Sequence, residues 1–435
     1  MRTLRAGVTE VDITPPIGGL LQGYGSRDHG AEGIHDSLRA QALVLDDGKR
    51  RVAIVACDLV GLEEPQVDEA RRLAAGLCEI APVDIMFCCS HTHGGPAMNT
   101  AGYVVGEPST IDVTVRKLAG AVACSGNHLR PARVGFGVGR VRVGMNRREM
   151  RDGRIVLGQN PAGPIDPEVT VMRVDTEDGR PLAVLFSYAC HGTTLGGNNY
   201  LITTDFVGPA REALLELIAG EGAVALFVNG TAGDINPKPP RGTFEAARRI
   251  GWELGAEAAK VWQTVQTETK TTLNVAAKKV GLPVSPPPPL SELRPMERDA
   301  AKQWAAVQKA GTHSPKTLLD LEWAREMIKR RTKGGTKRKL PCALQAIRIG
   351  ELGIVGMPGE VLVEIGLQVK AGSTHPYTIP AAYANGRMGY IPTAKAVAEG
   401  GYEALSHVWR REQAWAPSVE QTITTASVDL LNSLA

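Results

Sequence analysis

Short apolar runs separated by turn-forming segments set the first picture. Gln41–Leu45, Arg51–Cys57 and Val83–Cys89 have strand length and stay apolar on both faces, as buried strands do. Between the last two, Glu64–Cys78 places Val67, Ala70, Leu73, Ala74 and Leu77 at helical spacing. Strand, helix and strand therefore form a βαβ-type unit. Arg133–Val143 alternates and carries glycines, which predicts an antiparallel strand. Val169–Val174 and Leu182–Cys190 flank the turn Thr176-Glu-Asp-Gly-Arg180, a hairpin signal. Val207–Ala219 and Thr243–Val265 read as helices and Ala223–Asn229 as another buried strand. Pro283–Pro289 then holds five prolines in seven residues, followed by a polar helical pattern from Leu290 to Arg331 and a basic run, Lys329–Lys339. Strand-like Ala343–Ile349 and Leu352–Val355 resume the core pattern. The expected fold is α/β, mixed sheets packed with helices, in one domain over 1–435 with a Pro-rich, helical, basic insertion at about 283–339. That insertion reads as a surface excursion with a solvated cationic end rather than a dock for an acidic partner. The antiparallel segments argue against a doubly wound parallel sheet.

Composition narrows the class. Hydrophobic residues make up 43% and charged residues 22% of 435, which excludes a largely disordered chain. A net charge of +3, with both signs spread along the chain, points to no nucleic-acid partner. The longest apolar runs fall short of the roughly 20 residues that span a bilayer. The start, Met1-Arg-Thr-Leu-Arg-Ala-Gly7, lacks the apolar stretch of a secretion signal. Seven cysteines, an odd number seated mostly in apolar runs, suggest reduced thiols and a cytoplasmic protein. A small-molecule substrate is the expected partner, and oligomeric state is not indicated.

Candidate chemistry clusters where strands end. Cys89-Ser-His91-Thr-His93-Gly-Gly-Pro96 directly follows a buried strand, and its i, i+2 histidines point to one side if strand geometry continues. Alone, such a pair also fits a structural role. His191 ends Leu182–Cys190 in the same way, so the three histidines are a candidate zinc set as well as candidate buried structural groups. Val228-Asn-Gly-Thr-Ala-Gly233-Asp234-Ile-Asn236-Pro237 is a Gly-rich turn whose N–H groups can hold an oxyanion, or only a tight loop. Gly356-Met-Pro-Gly359-Glu360 leaves Glu360 as its one ionisable group, and Asn385-Gly-Arg-Met-Gly389-Tyr390 carries a tyrosine. Arg147 can hold a carboxylate or phosphate bidentately or pair with an acid. Tyr402, after Gly400-Gly401, can donate a hydrogen bond in a pocket. His35 reads as structural, and His29, His128, His313, His375 and His407 have no motif context. A site at one edge of the core, with N and O donors suited to zinc, is the expectation.

At these residues the chain resembles the catalytic domain of the neutral/alkaline, non-lysosomal ceramidase family. The matching segments include Ala6-Gly-Val-Thr-Glu-Val-Asp-Ile-Thr14-Pro15, Ser90-His-Thr-His-Gly-Gly-Pro96, Cys190-His-Gly-Thr-Thr194, Ala232-Gly-Asp-Ile-Asn-Pro237, Pro358-Gly-Glu360 and Gly389-Tyr390. They cover about 1–275 and 340–435 in the family's order and leave out 283–339. The resemblance implies one zinc ion per chain, held by His91, His191, Glu360 and Tyr390. It places His93 beside the attacking water as the catalytic base and the Gly230–Asn236 turn, with Gly233 and Asp234, where it helps hold the oxyanion. Asn236 and Tyr402 remain catalytic candidates, and Arg147 a substrate-binding one, from the residues themselves. The implied reaction is hydrolysis of a C–N amide bond. Asn236 stands where ceramidases carry a serine, and an amide is no nucleophile. The chain also reads as lacking a further C-terminal domain and a secretion signal. Both features favour a smaller or more polar substrate than ceramide. Hydrolysis of an ester or lactone, and metal or ligand binding without catalysis, are the competing readings.

Overall fold

The computed structural model describes residues 3–102, 104–238, 242–311 and 314–435, so His313 lies outside the described residues. An eight-stranded sheet comprises β1 (Arg5–Asp12), β2 (Arg39–Asp46), β3 (Arg51–Cys57), β4 (Ile85–Cys89), β5 (Arg130–Arg140), β6 (Glu168–Thr176), β7 (Pro181–Tyr188) and β8 (Val224–Asn229). Its order is β8-β7-β6-β5-β1-β2-β3-β4. The outer pairs β7–β8 and β3–β4 are parallel, while the pairs between them are antiparallel. The expected strand–helix–strand unit is present, since α1 (Glu64–Ala75) links the parallel pair β3 and β4.

Side-chain alternation builds two cores from this one sheet. Along β2, Ala40, Ala42 and Val44 join the core under the helices, whereas Leu43 and Leu45 face the other way. The first face is covered by α1, α2 (Pro108–Asn127), α3 (Val207–Leu217) and α4 (Phe244–Thr264). Thr243 caps α4 by accepting from the Ala246 N–H at 3.2 Å. The α3–α4 contact is close because α4 presents Gly251 and Gly255. A Cβ on either would lie 2.5 or 2.4 Å from a backbone oxygen of the 206–210 segment.

The second face packs on a four-stranded sheet of β9 (Leu273–Pro283), β10 (Lys339–Ile349), β11 (Leu352–Gly356) and β12 (Tyr377–Ala381). Ile347, Ile349, Leu352, Ile354 and Ile379 meet Leu43, Leu45, Ile54 and Met86 across the gap. The far side of that sheet carries α7 (Val363–Gly372) and α8 (Val419–Asn432), completing helix, sheet, sheet and helix layers.

β9 and β10 are antiparallel neighbours, with Pro283 opposite Lys339. Residues 284–338 are thus the connection of one long hairpin, leaving and rejoining the core at adjacent points. Where the spacing predicts one continuous helical pattern, there are two helices, α5 (Leu290–Ala310) and α6 (Pro315–Lys333). Gly311 at φ +61 ends the first. The surface reading needs correction on the inner face of α6. Trp323, Ala324 and Met327 are buried with Leu293 against Val408, and the Trp323 indole donates to the Glu412 carbonyl at 2.8 Å. Within the basic run Arg330 pairs with Glu326 and Glu412 and Lys337 with Glu412, while residues 331–339 are exposed to solvent. No helix among the described residues is long and apolar enough to cross a membrane.

Candidate metal centre and its cleft

β4 ends at Cys89, and the chain leaves the sheet before the histidines. His91 sits at φ +64, a strained conformation for a non-glycine residue, so strand geometry does not continue as the sequence suggested. The two imidazoles nevertheless converge, their Nε2 atoms 3.3 Å apart. His91 donates from Nδ1 to the Val60 carbonyl at 2.7 Å, and His191 from Nδ1 to the Ala232 carbonyl at 2.6 Å. Those bonds fix the tautomers and leave both Nε2 lone pairs facing inward. Glu360 opens a two-residue strand, Glu360–Val361, paired in parallel with Tyr390–Ile391. Its Oε2 lies 3.3 Å from His91 Nε2 and 3.4 Å from His191 Nε2.

The electrostatics suit a cation. Burial pushes His191 down to about 3, with Arg147 adding to the effect. Burial likewise drives His93 well below its ordinary value, helped by His91 and His191. Both imidazoles are therefore neutral near pH 7, the form that binds metal. Burial alone would raise Glu360, but a proton shared with His91 and His191 holds it well below its ordinary value, a role a bound cation would take over from that proton. His191 Nε2 and Glu360 Oε2 are buried without a hydrogen-bond partner. Two inward lone pairs and an orphaned carboxylate oxygen, all acceptors, fit a divalent cation. His91, His93 and His191 also offer nitrogen atoms that all lie within 4.8 Å of one another.

His93 is held from behind. Arg27 donates to its carbonyl at 2.7 Å, and the Tyr24 ring meets its edge at 4.8 Å. Gly23, at φ +106, passes so close that a Cβ there would stand 2.4 Å from the imidazole. Tyr383, itself at φ +55, stacks on His91 with ring centres 4.0 Å apart.

Tyr390 is placed by a buried ion network. Arg147 donates from Nη2 to the Tyr390 hydroxyl at 3.0 Å, from Nη1 to Asn236 Oδ1 at 3.0 Å and from Nε to Glu403 at 2.9 Å. Glu403 is fully buried and also accepts from Arg148 at 2.7 Å. Arg147 is thus committed inside the protein, which corrects its expected place on the substrate. The Gly-rich turn is corrected in the same way. The Gly233 N–H bonds the Val361 carbonyl at 2.9 Å, and Asp234 accepts from the Val363 N–H and from Asn146. The Gly233 N–H and the Asp234 carboxylate thus tie the Glu360 strand to the turn beside His191 and are spent on the fold.

His91, His93, Glu360, Tyr390 and Tyr402 line one cleft of about 490 Å³. His191 closes its floor through Glu360. The outer wall is Leu405, Val408 and Trp409 with Leu319 of α6. Arg27, Tyr383 and Glu403 went unnoticed in the sequence. Tyr383 had a faint signal in the following Asn385-Gly386 turn pair. Arg27 and Glu403 had none.

Residues 4–246 match the family model described as "Neutral/alkaline non-lysosomal ceramidase, N-terminal". Neutral ceramidase of Pseudomonas aeruginosa is 23% identical over 93% of this chain and 69% of its own length. Neutral ceramidase of Mycobacterium tuberculosis is 22% identical over 94% of this chain and 74% of its own. The crystal structure of the Pseudomonas aeruginosa neutral ceramidase superposes on the whole chain, and on 75% of that structure, with a TM-score of 0.76 at 21% identity. This likeness bears out the expected α/β architecture.

Proposed function

The chain belongs to the neutral/alkaline non-lysosomal ceramidase family of hydrolases, and on that ground we propose that it cleaves a C–N amide bond by metal-activated water. The observation that carries the reading is the convergence of His91 Nε2, His191 Nε2 and Glu360 Oε2 at the cleft floor, with a second histidine beside them. His91, His191 and Glu360 would hold a zinc ion, with Tyr390 as the fourth ligand. When bound, zinc lowers the pKa of water toward 7 and polarises a carbonyl. His93, neutral and half-buried at the cleft wall, accepts the proton of the attacking water and returns it to the leaving amine. Arg147 orients the Tyr390 hydroxyl, and Tyr402 contributes a hydroxyl to the cleft wall. Asn236 offers no nucleophile, so attack by water is the route these residues support. One catalytic domain, with 283–339 as an insertion that walls its cleft, is the organisation this implies. The cleft volume and Asn236 favour an amide smaller or more polar than ceramide.

Matched octanoyl amides and octanoyl esters, ceramide included among the amides, test this with protein before and after complete chelation. Amide cleavage that vanishes on chelation and returns with zinc is expected. Ester cleavage alone, or amide cleavage that survives metal removal, would overturn the assignment.

A further inference from the structure

Arg387 stands out among the cations around the cleft. It lines the cavity, yet among the described residues it makes no ion pair, and its recorded partner is the Asn99 side-chain oxygen. Lys316, the other cationic residue of the same lining, is matched with Asp320. Arg410, nearby, is pushed down to about 10 by burial, and Arg387 adds to that push. An unneutralised positive charge therefore sits at the cavity wall.

The loop that presents Arg387 is rigid. Asn385, at φ +58, exchanges hydrogen bonds with the Phe87 backbone and donates to Gln345 at 2.6 Å. The Met388 N–H reaches the Pro358 carbonyl at 2.7 Å. Three residues on, the same segment supplies Tyr390. Asn99 is itself held by Gln22 at 2.9 Å and by the Val104 carbonyl at 3.1 Å. A guanidinium on a fixed backbone with donors to spare is built to take an oxyanion. Opposite it, Leu319, Leu405, Val408 and Trp409 form an apolar wall, and about 490 Å³ accommodates a ligand of drug size, one chain rather than two long ones.

We propose that this cleft takes a single-chain N-acyl substrate bearing an anionic group, the anion held by Arg387 and the chain laid against the wall that α6 completes. The inference rests on the amide-hydrolase reading of the same site. A carboxylate and a phosphate share the required chemistry.

The test compares N-octanoylglycine, N-octanoylphosphoethanolamine and neutral N-octanoylethanolamine on wild type, Arg387→Gln and Arg387→Lys. For wild type, kcat/KM for one or both anionic amides exceeds the neutral one by about tenfold or more, the order of one charge-assisted pair, and the gap narrows as salt is raised. Arg387→Gln removes the preference while the neutral amide stays within about threefold, and Arg387→Lys keeps part of it. Which anion gains more tells carboxylate from phosphate. Equal rates on all three amides in wild type, or equal slowing of all three by Arg387→Gln, would overturn the proposal. Should Arg387→Gln fail to fold, the wild-type preference and its salt dependence decide. Titration calorimetry of the zinc-loaded protein separates the two claims. If no amide is cleaved, the hydrolase reading fails, while tighter binding of an anionic amide than of the neutral one still supports Arg387, and equal binding refutes it.

Discussion

His93→Gln lowers kcat for amide hydrolysis by roughly a hundredfold to ten-thousandfold, the range of a lost general acid–base group, and leaves zinc content unchanged. The two halves of that result follow from position. His93 is 3.3 Å from His91 Nε2 and faces the cleft, near enough to serve the attacking water. His91, His191 and Glu360 form a converging set without it. Parallel measurement of turnover and zinc stoichiometry separates the possible roles. Loss of zinc along with activity would make His93 a ligand, and turnover within about threefold of wild type would remove it from the chemistry.

Glu403→Ala destabilises the fold by about 3–5 kcal/mol, because it leaves the buried Arg147 guanidinium without a counter-charge and Arg148 with Glu399 alone, at 3.4 Å. Arg147 and Arg148 are both nearly inaccessible, and Glu403 accepts from each of them at 2.9 and 2.7 Å. Burial works to raise the Glu403 pKa, but the two arginines hold it below its ordinary value. The sign of the pH dependence follows. A carboxylate depressed in the folded state contributes stability above the unfolded pKa, about 4.3 for glutamate, and loses it as pH falls through the folded value. The difference between wild type and Glu403→Ala in urea denaturation is therefore full at neutral pH and shrinks in acid. A loss under 1 kcal/mol at pH 7, or a gap that grows in acid, would contradict the account. The same variant frees Arg147, so it also loosens Tyr390 and Asn236.

The parts of the fold readable in the sequence are those where both faces of a strand are apolar. β3 emerges with the bounds its hydrophobic run predicts, and β8 differs by a single residue. The hairpin Gly144–Arg151 and Arg154–Asn160 was invisible because Arg147, Arg148, Glu149 and Arg151 interrupt any apolar rhythm. β9 was hidden similarly, since Lys278 and Lys279 face solvent. The break between α5 and α6 had a signal, Gly311 followed by Ser314-Pro315, which the longer helical pattern outweighed. At the site, strand-end motifs identified His91, His93, His191 and Glu360 because each sits in a local apolar-then-glycine context. Glu403 and Arg27 act across more than 60 residues of chain, through Arg147 and the His93 carbonyl, so no local spacing announces them. Gly233 and Asp234 mislead for a related reason. A Gly-rich turn shows that N–H groups are exposed by local geometry, not which distant carbonyl takes them.

Elemental analysis of protein purified without added metal, on wild type, His91→Ala and His191→Ala, bears most directly on the central claim. About one zinc per chain in wild type, lost in both variants, is the predicted result for a four-ligand set that includes these two imidazoles. Wild-type protein that stays metal-free after zinc is offered, or variants that keep it, would contradict a metal centre built on His91, His191 and Glu360.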